Sequence, residues 1–417
     1  MSKFEIVGGT KLEGEIRVSS SKNAVLPIIA GSILCDETVM ICNIPMISDV
    51  KRMLDILTEM GGSVKIEDGN AIINNSGLNH FEIPKALACE IRSSIFMLGP
   101  LLAKHKKARV AYPGGCDIGS RPIDLHLSGL RTLGVKIEED YGYINCDSGN
   151  ISSGIVHLDF PSVGATENIM MASVFSKGKT IIHNAAREPE IVDLADFINS
   201  MGGKIYGAGT STIIVEGVKR LHGTNYSPMP DRIVAGTYLI GAAMTKGKIR
   251  LNGCNSEHVY SLITKLNNSG CKIVSNSDNI YIECNKRPLS CLNIETQPYP
   301  GFPTDLQAQM VALQTISRGT SIITENLFET RFKHVPELAK MGANVTIKDR
   351  MVFVVGKRNL HGAEVVAHDL RGGAALILAG LSAHGTTIVS NINYVDRGYE
   401  CLENKLNQLG ANIKRIE

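Results

Sequence analysis

The sequence predicts an α/β protein: a two-domain inside-out α/β barrel of six repeats, three per domain, each repeat holding two helices and several short strands. Three observations carry this. A helical run ending in glycine recurs six times, each copy follows a second helix that is apolar on nearly every side, and the part missing from the sixth copy is found at the other end of the chain. The glycine-ended runs are Leu57-Thr-Glu-Met-Gly61, Leu130-Arg-Thr-Leu-Gly134, Ile198-Asn-Ser-Met-Gly202, Leu266-Asn-Asn-Ser-Gly270, Leu338-Ala-Lys-Met-Gly342 and Leu406-Asn-Gln-Leu-Gly410. Successive glycines are 68 to 73 residues apart. Each suits the position just past a helix C-terminus, where positive φ is needed, and a fixed period of this kind marks a repeat architecture.

Taken along the chain, each element has its own signal. Phe4–Gly9 followed by Lys11-Leu12-Glu13-Gly14 matches Val352–Gly356 followed by Asn359-Leu360-His361-Gly362, and also Thr212–Gly217 followed by Arg220-Leu221-His222-Gly223. Residues 1–21 are therefore expected to pack with the C-terminal half. The stretch from Asn23 to Cys35 is apolar all round, as are Arg232 to Thr245 and Leu370 to His384, with others starting near Arg92, Ala165 and Thr304. Helices of that character belong inside a protein. Short strands follow them, such as Thr180–His183, Lys248–Leu251 and Thr386–Val389. The second helix of each repeat is amphipathic: Val50, Met53, Leu54 and Leu57 share one face, as do Leu402, Leu406 and Leu409. Beyond the glycine, alternation such as Lys272-Ile273-Val274, a turn at Ser277-Asp278-Asn279, and Ile280-Tyr281-Ile282 reads as a hairpin. The expected domains are 22–229, carrying the Cys116 loop, and 1–21 with 230–417, with a cleft between them. The chain should cross near Ser19 to Lys22 and near Tyr226 to Arg232.

Composition excludes several function classes. The 417 residues carry a net charge of +2, with 20% charged and 5% aromatic residues and no tryptophan, so no basic field argues for nucleic acid. The N-terminus lacks a signal-peptide apolar region, and the apolar stretch around Ala24 to Leu34 is too short to span a bilayer. Ten cysteines without a C-x-x-C pattern suggest reduced thiols and a cytoplasmic protein. No metal-ligand spacing appears.

The chemistry concentrates in two places. In Pro113-Gly-Gly-Cys116-Asp-Ile-Gly-Ser-Arg121-Pro122, a thiol sits in a glycine-rich loop beside a cation, before an apolar-periodic run (Ile123, Leu127, Leu130, Leu133). Pro122 suits the first turn of a helix, and the setting can tune the thiol. The second place is the starts of the apolar helices: Lys22-Asn23, Arg92-Ser93, Ser162-Val163-Gly164, Asp231-Arg232, Thr304-Asp305 and Asp369-Leu370-Arg371. Capping explains the aspartates and Thr304. It does not explain the cations, which are unfavourable at a positive helix end unless an anion neutralises them. Arg331 and Arg397 lie just before amphipathic helices. The cluster suggests a phosphorylated or carboxylated substrate.

At this point the residues match a known family. SSSKNAVLPIIAGSIL (19–34), PGGCDIGSRPIDLH (113–126), PSVGATENIMMA (161–172), PDRIVAGT (230–237), YPGFPTDLQAQ (299–309), ENLFETRFKHVPELAKMGA (325–343) and DRGYE (396–400) resemble the enolpyruvyl transferases that act on UDP-N-acetylglucosamine, over essentially the whole chain. The loop thiol separates this branch from the enolpyruvylshikimate phosphate synthases. Some relatives carry a lysine where this chain has Asp159-Phe160-Pro161.

The resemblance implies transfer of the enolpyruvyl group of phosphoenolpyruvate to the sugar 3-hydroxyl, with release of phosphate, as the first committed step of peptidoglycan precursor synthesis. It implies Cys116 as proton donor, as the site of a phospholactoyl thioether, and as the target of the epoxide antibiotic fosfomycin. Asp305 resembles the base, and Lys22, Arg121 and Arg397 the phosphoenolpyruvate-binding cations. Asn23, Arg92, Arg121, Pro122, Ile123, Asp124, Leu125, Ser162, Val163, Gly164, Asp305 and Leu327 resemble the nucleotide-sugar contacts, with Arg331, Asp369 and Arg371 in support. It implies no metal or organic cofactor, no nucleic-acid or membrane partner, and a monomer or weak oligomer. The alternatives are another enolpyruvyl transferase, of the shikimate 3-phosphate type, another enzyme on the same fold such as an RNA terminal-phosphate cyclase, and a non-catalytic anion-binding repeat protein.

Overall fold

The computed structural model describes residues 2–114, 118–119, 122–284 and 289–417. Cys116 and Arg121 lie outside the described residues. Two compact units divide the chain, which passes from one to the other after Ser19 and after Met229. Ile118 and Gly119 group with the unit formed by Met1–Ser19 and Pro230–Glu417, whereas the sequence reading assigned the loop to the other unit. Each unit has its own hydrophobic core.

Among the described residues there are six sheets, five of four strands and one of three. They share one plan. The strand after each apolar helix pairs antiparallel with the second strand of its own hairpin and parallel with a connection from the preceding repeat. Lys248–Asn252 shows it: Ile249 faces Ile282 of Asn279–Glu283 on one side and Gly14 of Glu13–Arg17 on the other. In the three-stranded sheet the parallel connection shrinks to a single bridge, Glu82 to Arg109.

The N-terminal strand Lys3–Val7 occupies the place of a hairpin strand in the last sheet. It lies between Thr386–Ser390, with Phe4 opposite Val389, and Ile413–Ile416, with Lys3 opposite Ile416. In the other unit the corresponding closure is made by Asn225–Tyr226, which runs parallel to Val39–Ile41. Each unit is thus a ring of three repeats.

The apolar helices are where their composition puts them. Every residue of Arg232–Thr245 is buried, and it packs against Gln307–Thr315 and Leu370–Ser382, which also pack on each other. Each fully buried Leu or Ile contributes about 1.5–3 kcal/mol. Two of the six apolar helices begin with a 3₁₀ turn, Arg92–Met97 and Thr304–Leu306. All six motif glycines adopt positive φ, from +88° to +112°.

A second glycine recurs after the hairpin strand, at Gly8, Gly217 and Gly356. A Cβ there would overlap the carbonyl oxygens of Ala383, Ser176 and Ser317, at the ends of the apolar helices. Asn75, Ser148 and Cys284 stand there in the other repeats. Gly356→Ala is therefore expected to cost about 1–3 kcal/mol, because backbone must shift. Chemical denaturation followed by circular dichroism measures it, and an unchanged midpoint would count against the close approach.

One expectation from the cysteines needs correction. Cys271 and Cys284 form a disulfide, because the hairpin between them brings their Cα atoms to 4.8 Å. Among the described residues Cys35, Cys42, Cys89, Cys146, Cys254, Cys291 and Cys401 are free. No helix of the described residues is long and apolar enough to cross a membrane.

Candidate active site

The unit holding the C-terminal half gathers four of the residues singled out from sequence. Asp305 sits in the 3₁₀ turn Thr304–Leu306 that opens an apolar helix. Its Oδ1 accepts from Arg331 Nη2 at 2.6 Å and from Arg371 Nε at 3.4 Å. The two arginine side chains are 5% and 3% exposed, while 26% of the Asp305 side chain remains open. Burial alone would raise the Asp305 pKa. Arg371 and Arg331, with a smaller effect from Arg232, outweigh it and hold the carboxyl well below the usual carboxylate range.

Asp369 accepts from the backbone N–H of Arg371 and of Gly372, both at 2.9 Å, and so fixes the start of the helix that carries Arg371. Arg397 ends the 3₁₀ turn Ile392–Arg397, half-buried. Two buried donors, Arg371 Nη1 and Arg331 Nε, find no hydrogen-bond partner among the described residues.

Sequence reasoning missed Glu325, which is fully buried. It accepts from Thr304 Oγ1 at 2.7 Å, Thr296 Oγ1 at 2.8 Å, Leu327 N at 2.8 Å and Phe328 N at 3.2 Å. One carboxylate thereby ties the Leu327 turn to the turn that bears Asp305. Thr304 Oγ1 also accepts from Arg331 Nη1 at 2.8 Å. Glu325 opens a quoted motif, but nothing in its spacing marks it as the anchor. His334, beside Asp369 and Arg331, was missed as well; burial pushes its pKa down to about 4.

In the other unit, Lys22 pairs with Asp49 at 2.7 Å. Asn23 follows in the first turn of Lys22–Gly31, half-buried. Arg92 opens its 3₁₀ turn, and burial lowers its pKa from the ordinary value. Ser162 caps the helix Val163–Ala172 by accepting from Ala165 N, leaving Val163 and Gly164 in the first turn. Phe160, where some relatives have lysine, is exposed. The helix expected at Pro122 begins at Asp124, with Ile123 as its N-cap, so Pro122 lies before the first turn. Ile123 is buried, Leu125 half-buried, and Pro122 and Asp124 exposed.

Several of the cations singled out from sequence have carboxylate partners within the protein. Arg331 and Arg371 share the single negative charge of Asp305, and Lys22 pairs with Asp49, so internal carboxylates supply part of the charge that the sequence reading left to a ligand. Among the described residues no group of three or more His, Cys, Asp or Glu could hold a metal ion.

Glu167, on the helix Val163–Ala172, is fully buried, and among the described residues neither carboxyl oxygen has a hydrogen-bond partner. Burial first, then Glu190 and Glu188, raises its pKa well above the usual range. An acid whose pKa is raised on folding binds its proton more tightly when folded. Its contribution is therefore full below the unfolded pKa and is lost as pH rises through the folded one. Glu167→Gln is expected to remove that loss, with stability matching the parent near pH 4 and exceeding it at pH 8. Each kcal/mol relieved raises Tm by about 2–4 °C in a unit of this size. Equal melting temperatures at pH 8 would show the carboxyl to be solvated.

The family model for EPSP synthase (3-phosphoshikimate 1-carboxyvinyltransferase) matches residues 6–406. The sequence is 51% identical over 416 residues to UDP-N-acetylglucosamine 1-carboxyvinyltransferase 2 of Caldanaerobacter subterraneus subsp. tengcongensis, covering 100% of both chains. It is 48% identical over 419 residues to UDP-N-acetylglucosamine 1-carboxyvinyltransferase 1 of Clostridium acetobutylicum, again over 100% of both. Among solved structures, the enolpyruvyl transferase NikO from Streptomyces tendae superposes with a TM-score of 0.90 at 22% identity, covering 100% of this chain and 99% of that one. EPSP synthase from Acinetobacter baumannii gives 0.76 at 18%, covering 100% of both chains. These two likenesses speak for the fold, mixed α/β with several sheets. Full-length identity near one half, together with the family match, makes the chain a member of the EPSP synthase family, in its UDP-N-acetylglucosamine 1-carboxyvinyltransferase branch.

Proposed function

We propose that the protein transfers the enolpyruvyl group of phosphoenolpyruvate to the 3-hydroxyl of UDP-N-acetylglucosamine and releases phosphate. The observation that carries this is Asp305 with its two arginines: a part-open carboxylate beside two buried guanidinium donors, Arg371 Nη1 and Arg331 Nε, that lack a partner among the described residues. Buried donors of this kind call for an acceptor, and an anionic substrate supplies one.

In the addition step, Cys116 gives a proton to the methylene carbon of phosphoenolpyruvate. The sugar oxygen attacks the neighbouring carbon while its proton passes to Asp305. In the elimination step, the Cys116 thiolate takes a proton back from the new methyl group, the double bond re-forms as the carbon–oxygen bond to phosphate breaks, and the departing phosphate carries off the proton held on Asp305. As it stands, Asp305 is a weak base because the arginines hold it ionised. A phosphate or carboxylate arriving on those arginines would share their charge and raise the Asp305 pKa towards a useful value.

In the same reading, Lys22, Arg121 and Arg397 hold phosphoenolpyruvate. Asn23, Arg92, Pro122 to Leu125, Ser162 to Gly164 and Leu327 hold the nucleotide sugar, with Arg331, Asp369 and Arg371 in support. Neutralising the leaving phosphate needs no cofactor. Each unit is taken as an inside-out α/β barrel, and the protein as a cytoplasmic monomer or weak oligomer.

The test is phosphate release. Purified protein with phosphoenolpyruvate should release phosphate when UDP-N-acetylglucosamine is added and not when shikimate 3-phosphate is. The reverse preference would favour the shikimate-type reading, and release with neither, from folded protein across several pH values, would sink both.

A further inference from the structure

Asn168 lies fully buried within the helix Val163–Ala172. Its Oδ1 accepts from Gly99 N at 2.7 Å, and its Nδ2 donates to Ile95 O at 3.0 Å. A backbone N–H can only donate and a carbonyl only accept, so the orientation of the amide is forced. The same Nδ2 meets His126 Nδ1 at 2.9 Å. Since Nδ2 is a donor, His126 Nδ1 must be the acceptor, without a proton. In a neutral imidazole the proton then sits on Nε2.

Neutrality follows from the surroundings. His126 is 7% exposed, and burial together with the nearby Arg92 pushes its pKa down to about 3. Among the described residues Nε2 makes no hydrogen bond. The Cε1–Nε2 edge of the ring faces Gly164, where a Cβ would stand 2.8 Å from Cε1 and 3.1 Å from Nε2. Gly164 is in the first turn of its helix, where unpaired N–H groups and the helix dipole favour an anion.

We propose that Asn168 is a positioning residue that locks His126 as the Nε2–H tautomer, so that a neutral donor is delivered to the nucleotide-sugar diphosphate at the Ser162–Gly164 helix end. The substrate class rests on the function proposed above. The lock has a chemical purpose. The other tautomer would turn a lone pair towards an anion and repel it, and a protonated ring would be opposed by Arg92. Only the Nε2–H form donates without adding a second buried charge. Gly164 belongs to the same arrangement, because a side chain there would meet a ring that Asn168 holds in place.

The tautomer can be read directly from the imidazole nitrogens of ¹⁵N-histidine-labelled protein, with the His126 signals identified by their loss in His126→Gln. At pH 7 the expected spectrum has a proton-bearing Nε2 and an unprotonated Nδ1, and adding UDP-N-acetylglucosamine shifts the Nε2 signal. Asn168→Leu removes the donor to Nδ1, so the tautomers mix. The KM for UDP-N-acetylglucosamine is expected to rise about tenfold with kcat little changed, as for one lost hydrogen bond to a charged group. Asn168→Asp keeps an acceptor for Gly99 and should draw a proton onto Nδ1, which the same spectrum reports even if the leucine variant fails to fold. A wild-type ring protonated on Nδ1 at pH 7 would overturn the proposal. So would an Nε2 signal that stays still in saturating UDP-N-acetylglucosamine while the enzyme turns over. If the signal moves but no phosphate is released with either acceptor, the fault lies with the proposed reaction and not with the tautomer lock.

Discussion

Asp305→Asn is expected to lower turnover by about 10²–10⁴-fold, the range that separates an enzyme with its general base from one without. The asparagine is close in shape and can still accept from Arg331 Nη2, which lies 2.6 Å from Oδ1. It cannot take a proton from a sugar hydroxyl. It also leaves Arg331 and Arg371, 5% and 3% exposed, without their shared counter-charge. Breaking a buried ion pair costs about 3–5 kcal/mol, so the variant should unfold at lower denaturant while retaining the parent's circular dichroism spectrum. An anion bound on the arginines would restore part of that loss, and phosphate in the buffer should therefore stabilise Asp305→Asn more than the parent. Steady-state phosphate release at matched substrate decides the catalytic half. A turnover number within a few-fold of the parent would remove Asp305 from the reaction.

Arg371→Leu should be nearly as severe, for a different reason. It deletes the leading opponent of burial at Asp305 and an unpartnered donor from the site. The direction with pH follows from linkage. A carboxylate with a depressed folded pKa contributes stability that is present above its unfolded pKa and lost as pH falls through the folded one. In the parent that loss falls below the usual carboxylate range. In Arg371→Leu the folded pKa rises, so the contribution shrinks and disappears at higher pH on acidification. Acid unfolding followed by far-UV circular dichroism should therefore shift to higher pH, with a loss at neutral pH of about 3 kcal/mol. The chain has no tryptophan, so intrinsic indole fluorescence is no substitute. An unchanged acid limb would mean that Arg331 alone holds Asp305.

What could be read from the sequence was whatever a repeat copies. The glycine after each amphipathic helix is set by local backbone geometry, so its position is visible wherever the helix ends. The match of Phe4–Gly9 to Val352–Gly356 is a copy too, and the strand Lys3–Val7 pairs where that copy implies. Asp305, Arg331 and Arg371 were singled out, and the fold brings them within hydrogen-bonding distance. Contacts between repeats were not readable. Glu325 matters through Thr304, 21 residues earlier, and Asn168 through His126 and Gly99, 42 and 69 residues earlier. No periodicity relates such partners, because only the packing of one helix against another makes them meet. The Cys271–Cys284 pair escaped for a related reason: in a hairpin the pairing register, not the spacing of thiols, sets which residues face each other.

The strand Lys3–Val7 has a consequence for the order in which the molecule is made. It is made before every other described strand, yet its sheet neighbours, Thr386–Ser390 and Ile413–Ile416, are the last two of those strands to be made. The unit spanning Ser20 to Met229 can close its ring during synthesis, since Asn225–Tyr226 needs only Val39–Ile41. The other unit must wait for Thr386–Ser390 and Ile413–Ile416 while its first strand stays unpaired, which is a slow, non-local closure. Because Lys3 and Ile416 are sheet partners, a short linker between the two ends followed by reopening at the Met229–Pro230 crossing would give each ring an uninterrupted stretch of chain, apart from the 118–119 excursion. Such a permutant should complete the second ring without that wait.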